Sequence, residues 1–295
     1  MSDKNKEMAQ QLADKDAVNQ TADFAQLWEV FDNSLLALEG NAYPGNFKLQ
    51  YKAANTPTIR YWSNVSDNAH PLVINKHLNE ILKTCTKVTG GTWRDIKECD
   101  RLKVVIAIHD YTFVKPERPL TITHQCDNIG CSSPKFTTKI KLNHFKLLEP
   151  TKHMHRFNNE TKNFVFKTKN HGTINVYIPS IHISTAVAEY FGSQEDKSWF
   201  TDNMTFVELV QWLIPHTTQK CDAKLISNMH IDFMSWSADK IALVYDIVQQ
   251  SKVELDANLH VICPQCGKEC TPPFRFENGF KRFFLPVSDL DSELL

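Results

Sequence analysis

Two thiols near the C-terminal end of the chain are spaced to do chemistry. Cys263 and Cys266 stand in His260-Val261-Ile262-Cys263-Pro264-Gln265-Cys266-Gly267-Lys268. Cys-x-x-Cys spacing lets two sulfurs face one ion from a single tight turn. Pro264 pre-sets its own φ as the turn begins, and Gly267 is free to take the positive φ that closes it. Backbone N–H groups in such a turn point at the sulfurs and favour thiolate. A redox role fits less well, because a thioredoxin-like pair opens a helix and this pair lies between two strand-like segments. The half-site needs two more ligands. Cys126 and Cys131, in His124-Gln125-Cys126-Asp127-Asn128-Ile129-Gly130-Cys131, are the best candidates.

The expectation is therefore one metal site with Cys126, Cys131, Cys263 and Cys266 as ligands. Four thiolates and no open position describe structural zinc, with Zn–S bonds of about 2.3 Å. An iron–sulfur cluster is the alternative. Cys270 is a substitute for one of the four, and His124 is another outside choice. Cys85, Cys99 and Cys221 read as buried structural residues.

The remaining chemistry candidates are weaker. His153-Met154-His155 and His182 invite a catalytic or metal reading, and His-x-His on a strand would put both rings on one face. No suitably spaced carboxylate pair accompanies them. His109-Asp110 follows an apolar run, but no activated Ser or Cys motif joins it. Neither G-x-x-x-x-G-K-S/T nor G-x-G-x-x-G occurs, so no nucleotide cradle is indicated. The sequence is thus expected not to be that of an enzyme.

The totals set broad limits. A chain of 295 residues, 42% hydrophobic and 23% charged, has room for one large domain or two modest ones. Lys plus Arg (33) nearly balance Asp plus Glu (34), so net charge gives no push toward nucleic acid or an anionic membrane. No apolar run reaches membrane-spanning length, and the polar start, Met1 to Glu7, argues against a signal peptide. Eight cysteines without an export signal point to a reducing compartment, where paired cysteines mean metal more often than disulfide.

The elements that must carry the cysteines can be read from periodicity. Residues 1–22 read as a flexible polar tail. Residues 23–110 read as a helical N-terminal region. Within it an amphipathic helix is expected from Phe24 to Leu36, a short strand over Ile59-Arg60-Tyr61-Trp62, and a helix over Pro71 to Cys85. A capped helix start is expected at Thr92, and Leu102 to Tyr111 reads as a buried strand or helix. Residues 111–180 read as an antiparallel β module holding the first Cys pair, with strands near 120–124, 136–148, 164–166 and 174–178. Residues 181–258 read as helical. Residues 259–295 hold the Cys-x-x-Cys hairpin, with Phe274-Arg275-Phe276 as its second arm, and a tail. The fold class expected is α+β, helical segments around a small antiparallel sheet, with a four-cysteine zinc-ribbon-like site joining the middle and C-terminal hairpins. Lys135, Lys139, Lys141, Lys146, Lys152, Arg156, Lys162, Lys167 and Lys169 crowd the middle of the chain. They read as a solvated strand face, or alternatively as the nucleic-acid surface of a zinc-ribbon protein using the basic 135–169 sheet.

The order of features carries a resemblance. An apolar stretch ends at Asp110-Tyr111, and a strand pair follows with Cys126 and Cys131. Next come Lys139-Ile140-Lys141-Leu142-Asn143-His144-Phe145 and a strand ending in proline, Val176-Tyr177-Ile178-Pro179. Helices, Cys-Pro-Gln-Cys-Gly and Phe283-Phe284-Leu285-Pro286 complete the order. Over residues 70–287 this resembles the baseplate hub and hub-assembly proteins of T-even-like contractile-tailed bacteriophages. The resemblance implies a non-enzymatic virion or assembly protein, in the tail baseplate or in the host cytoplasm during assembly. Its implied partners are other baseplate hub or tail proteins. No membrane partner is expected, and nucleic acid is the less favoured alternative.

Overall fold

The structure, a computed structural model, describes residues 27–66, 69, 71–113, 120–194, 199, 202–216 and 221–274. The polar tail expected at 1–22, Arg275-Phe276 and the aromatic terminus at 283–286 lie outside these residues. Helices and small antiparallel sheets make an α+β chain.

The N-terminal region departs from its expected helix. The described residues of the 24–36 stretch form strand β1 (Glu29–Val30) and a 3-10 turn, Asn33–Leu35. A second 3-10 turn, Ala37–Gly40, holds Leu38 and Glu39 at φ +53° and +54°. The apolar spacing is real, but other groups claim the backbone. Asp100, fully buried, accepts the Ala37 N–H at 2.9 Å and the Tyr43 hydroxyl at 2.6 Å. Glu149 accepts the Leu38 N–H at 3.0 Å. Carboxylates from distant segments, Asp100 buried and Glu149 half-buried, thus take amides that a helix would bond internally. Burial pushes the Asp100 carboxyl up to about 6, and its bonds to Tyr43 and Ala37 pull the other way.

The strand expected at 59–62 is instead helix α1 (Thr56–Ser63). Asn55 caps it, accepting the Thr58 N–H at 3.0 Å, and Pro57 sits in the first turn, where its missing N–H costs nothing. The strand of this region is β2 (Lys48–Tyr51), which pairs with β1 and with β3 (Thr86–Thr89). Helix α2 (Pro71–Cys85) falls on its expected bounds. The capped start at Thr92 is a 3-10 turn, Trp93–Asp95, with a Thr92/Asp95 capping box. Helix α3 (Arg101–Thr112) settles the ambiguous apolar run. Every residue from Lys103 to His109 is buried, so no polar face marks the helical period.

In the middle of the chain the single expected sheet divides. Strand β4 (Thr121–His124) pairs with β5 (Phe136–Lys139). A 3-10 turn at Leu142–His144 interrupts the next run and gives β6 (Phe145–Leu148). Strands β7 (Phe157–Asn158), β8 (Asn163–Lys167) and β9 (Thr173–Tyr177) form a separate three-stranded sheet. The lysines read as one basic 135–169 sheet are therefore spread over three sheets and their loops.

Helices α4 (Ile181–Gly192), α5 (Met204–Leu213), α6 (Ala223–Met234) and α7 (Ala238–Ser251) fill the expected helical region. Strand β10 (Glu254–Leu259) begins inside that region's expected end and pairs with β6, nearly 110 residues upstream. The C-terminal hairpin is β11 (Val261–Ile262) with β12 (Glu269–Cys270). Its second arm is thus Glu269–Cys270. The residues expected there begin at Phe274, whose N–H bonds to the Ala257 carbonyl instead. Trp62, Phe164 and Phe206 are among the largest fully enclosed side chains, so the core runs through the N-terminal, sheet and helical regions.

Candidate metal centre

Each half of the centre is a turn closed by a glycine. Cys126 and Cys131 lie in the connection between β4 and β5. The Cys131 N–H donates to the Asn128 carbonyl at 3.1 Å, and Gly130 takes φ +82°. Cys263 and Cys266 lie in the β11–β12 connection. There the Gly267 N–H donates to the Cys263 carbonyl at 3.0 Å, the Cys263 N–H to the Lys268 carbonyl at 2.9 Å, and Gly267 takes φ +67°. Left-handed backbone of this kind suits glycine because no Cβ meets the carbonyl.

The two turns bring their sulfurs together. All four, from Cys126, Cys131, Cys263 and Cys266, lie within 4.8 Å of one another. Cys126 Sγ is 3.8 Å from Cys266 Sγ across 140 positions of sequence, and Cys131 Sγ is 3.9 Å from Cys263 Sγ across 132. Two thiolates bound at 2.3 Å across a tetrahedral angle stand ~3.8 Å apart. The geometry can hold a metal ion. Cys126 and Cys263 are buried, and Cys131 and Cys266 are half-buried.

The thiols are electrostatically unequal. The amides of Cys266 and Gln265 point at the Cys263 sulfur and lower its pKa to about 6. At Cys131 the Ser133 amide acts in the same direction. Desolvation and the neighbouring thiols of Cys126, Cys266 and Cys263 outweigh it and push the pKa up to about 12. One thiolate is stabilised by its turn, and further ones repel each other. A dication among them removes that repulsion, since it lets every thiol ionise.

A polar frame joins the turns. Asn128 Nδ2 donates to Cys126 Sγ at 3.2 Å and to the Glu269 carbonyl at 2.9 Å, bridging the two hairpins. Asp127 Oδ2 accepts from the Thr271 N–H at 3.3 Å and the Thr271 hydroxyl at 3.2 Å. Lys146 on β6 meets Glu269 at 2.6 Å. The sequence reading did not find Asn128, Asp127 or Thr271. Asn and Asp in a turn signal local side-chain hydrogen bonds. Nothing local says that their partners lie more than 140 positions away.

The histidine candidates do not converge. His153 and His155 sit in a 3-10 turn, Thr151–Arg156, and not on a strand, with ring centres 6.3 Å apart. His153 Nε2 is 3.0 Å from Gln250 Oε1. His182 Nε2 accepts the Cys221 N–H at 3.3 Å. His109 is 3% exposed, with Nδ1 3.3 Å from Asp110 Oδ1 on the same helix. Cys85, Cys99 and Cys221 are buried away from the four-sulfur cluster, and burial raises each thiol's pKa. Among the described residues no helix is long and apolar enough to cross a membrane. Comparison with protein-family profiles, characterised proteins and solved structures finds no match.

Proposed function

We propose that Cys126, Cys131, Cys263 and Cys266 bind zinc as four thiolates. The site then acts as a zinc-ribbon-like clasp between the middle and C-terminal hairpins, in a chain that works by architecture and not by catalysis. One observation carries this reading: four sulfurs from two distant turns lie within 4.8 Å of one another, and the two pairs that join the turns, at 3.8 and 3.9 Å, stand at the edge length of a zinc tetrahedron. Multi-iron clusters spread their thiolates over several metal atoms, a poorer fit to pairs 3.8 and 3.9 Å apart. A closed four-thiolate ion has no position left for substrate, so its contribution is folding free energy.

The scaffold's role, in this proposal, is that of a structural or assembly component of a phage tail baseplate hub, in the virion or in the host cytoplasm during assembly. The order of sequence features supports it. So do apolar side chains displayed beside the metal ligands: Ile129, in the middle turn, is fully exposed, and Ile262, on β11 next to Cys263, is 62% exposed. A rigid metal-pinned turn that displays a large aliphatic side chain suits docking to another protein. The nucleic-acid reading has less support. The groove of about 630 Å³ with Arg156, Lys167 and Lys169 on one wall carries Asp239 and Asp246 on the other.

Elemental analysis of the purified full chain tests the clasp. At least one zinc per chain is expected, and a metal-free preparation that stays folded and refuses zinc rejects it. Binding of the chain to purified baseplate hub proteins, before and after chelation, tests the role. Binding that weakens on chelation is expected. Failure of both forms to bind any hub protein rejects the hub assignment.

A further inference from the structure

We infer that the centre has a second metal position, with Cys126 as a thiolate shared between two ions and Asp127 and Cys270 as the other ligands. This rests on the four-thiolate reading, because the shared sulfur belongs to both sets.

The ligand atoms of Cys126, Asp127 and Cys270 form a second convergent group, each within 4.8 Å of the others. Cys270 is not a bystander of the hairpin. It lies on β12 and is 1% exposed, and its sulfur, which also approaches the Val261 carbonyl at 3.5 Å, converges with Cys126 and Asp127. His124, the last residue of β4, brings Nε2 to 3.8 Å from Cys270 Sγ. The imidazole is 8% exposed, and its Nδ1 is buried with no hydrogen-bond partner. The ring packs at a tilt against Phe136, with centres 4.2 Å apart, and its contact with Cys270 positions that sulfur rather than reaching the ion. Asp127 keeps both of its bonds from Thr271 on Oδ2, which leaves Oδ1 for a cation.

The chemistry closes as well. The first ion receives four thiolates, and the second two thiolates and one carboxylate, with a solvent-side position left for water. The mixed sulfur and oxygen set suits zinc, with cadmium as its probe. The second ion's charge offsets the two anionic ligands, Cys270 and Asp127, that it adds. A thiolate bridge also relieves the crowding of a fifth sulfur beside the first four.

The test uses the full chain loaded with excess cadmium. Two ions per chain are expected, with two ¹¹³Cd resonances, both coupled to the Cys126 β-protons. Cys270→Ala is expected to leave one ion and one resonance. Asp127→Asn keeps the acceptor for Thr271 on an exposed loop and so preserves the fold. It is expected to weaken the second ion at least about ten-fold while the first is unchanged. One ion per chain at saturation, unaffected by Cys270→Ala or Asp127→Asn, overturns the second position and leaves the four-thiolate clasp standing. A chain that binds no cadmium overturns both.

Discussion

The two cysteine turns do the same job by different means. The C-terminal turn is self-sufficient. Pro264, two amides aimed at the Cys263 sulfur, and the Gly267 closure build a thiolate nest from adjacent residues. The middle turn is longer and borrows its rigidity. Asn128 reaches both a sulfur within its own turn and a carbonyl on β12, and Asp127 is held by Thr271. The difference separates an ion-ready half-site from one that becomes rigid only against its partner.

Removing a ligand gives the largest break. Cys263→Ser is expected to abolish metal binding at the four-thiolate position, because it takes away the sulfur that the turn has prepared. The melting temperature should fall by about 10 °C, as loss of a structural zinc site costs several kcal/mol of folding free energy. Secondary structure should persist, since β6 and β10 join the same two regions through backbone pairing without any cysteine. Cys131→Ser should keep weak metal binding through the three remaining sulfurs. Calorimetric melting and metal analysis of the two variants side by side decide the point. Equal loss of metal in both would remove the proposed asymmetry.

The middle turn's borrowed rigidity is the next target. Asn128→Ala removes both side-chain bonds, at 3.2 and 2.9 Å. About 1–2 kcal/mol of stability should go with them. Metal affinity should drop about ten-fold, the usual scale for a group that orients a ligand without touching the ion. Competition with a chromophoric chelator measures this. An unchanged affinity would mean that the middle turn holds its shape without help from β12.

This contrast explains what could be read from the sequence and what could not. Cys263 and Cys266 were legible because their turn's chemistry lies within nine consecutive residues. The pairing with Cys126 and Cys131 followed from counting ligands. The helix over Pro71 to Cys85 was legible because one face repeats its apolar residues at helical spacing. Where the backbone answers to distant groups, the local pattern misled. The stretch near Phe31 has helical spacing, yet Asp100 and Glu149 hold the amides that follow it. Ile59 to Trp62 reads as β-branched and aromatic, yet the Asn55 cap and Pro57 had already begun a helix. The pairing of β10 with β6 leaves no local trace either, because a strand does not name its partner.

The glycines offer the smallest perturbation and the finest comparison. Gly130 and Gly267 both sit at positive φ, and at each an added Cβ meets nothing within 4 Å. Alanine at either position therefore costs backbone strain alone, about 1 kcal/mol. Both variants should melt a few degrees lower by a similar amount. They should differ in how fast they lose metal. Gly267 follows Cys266 directly and donates to the Cys263 carbonyl, so strain there tilts the amides that hold the Cys263 thiolate. Gly130 adjoins Cys131, whose ionisation the neighbouring thiols already oppose, so less is lost when its turn relaxes. Gly267→Ala should thus release zinc to a chelator several-fold faster than Gly130→Ala at matched stability. Equal release rates would show that the C-terminal turn owes its thiolate to the metal and not to its own backbone.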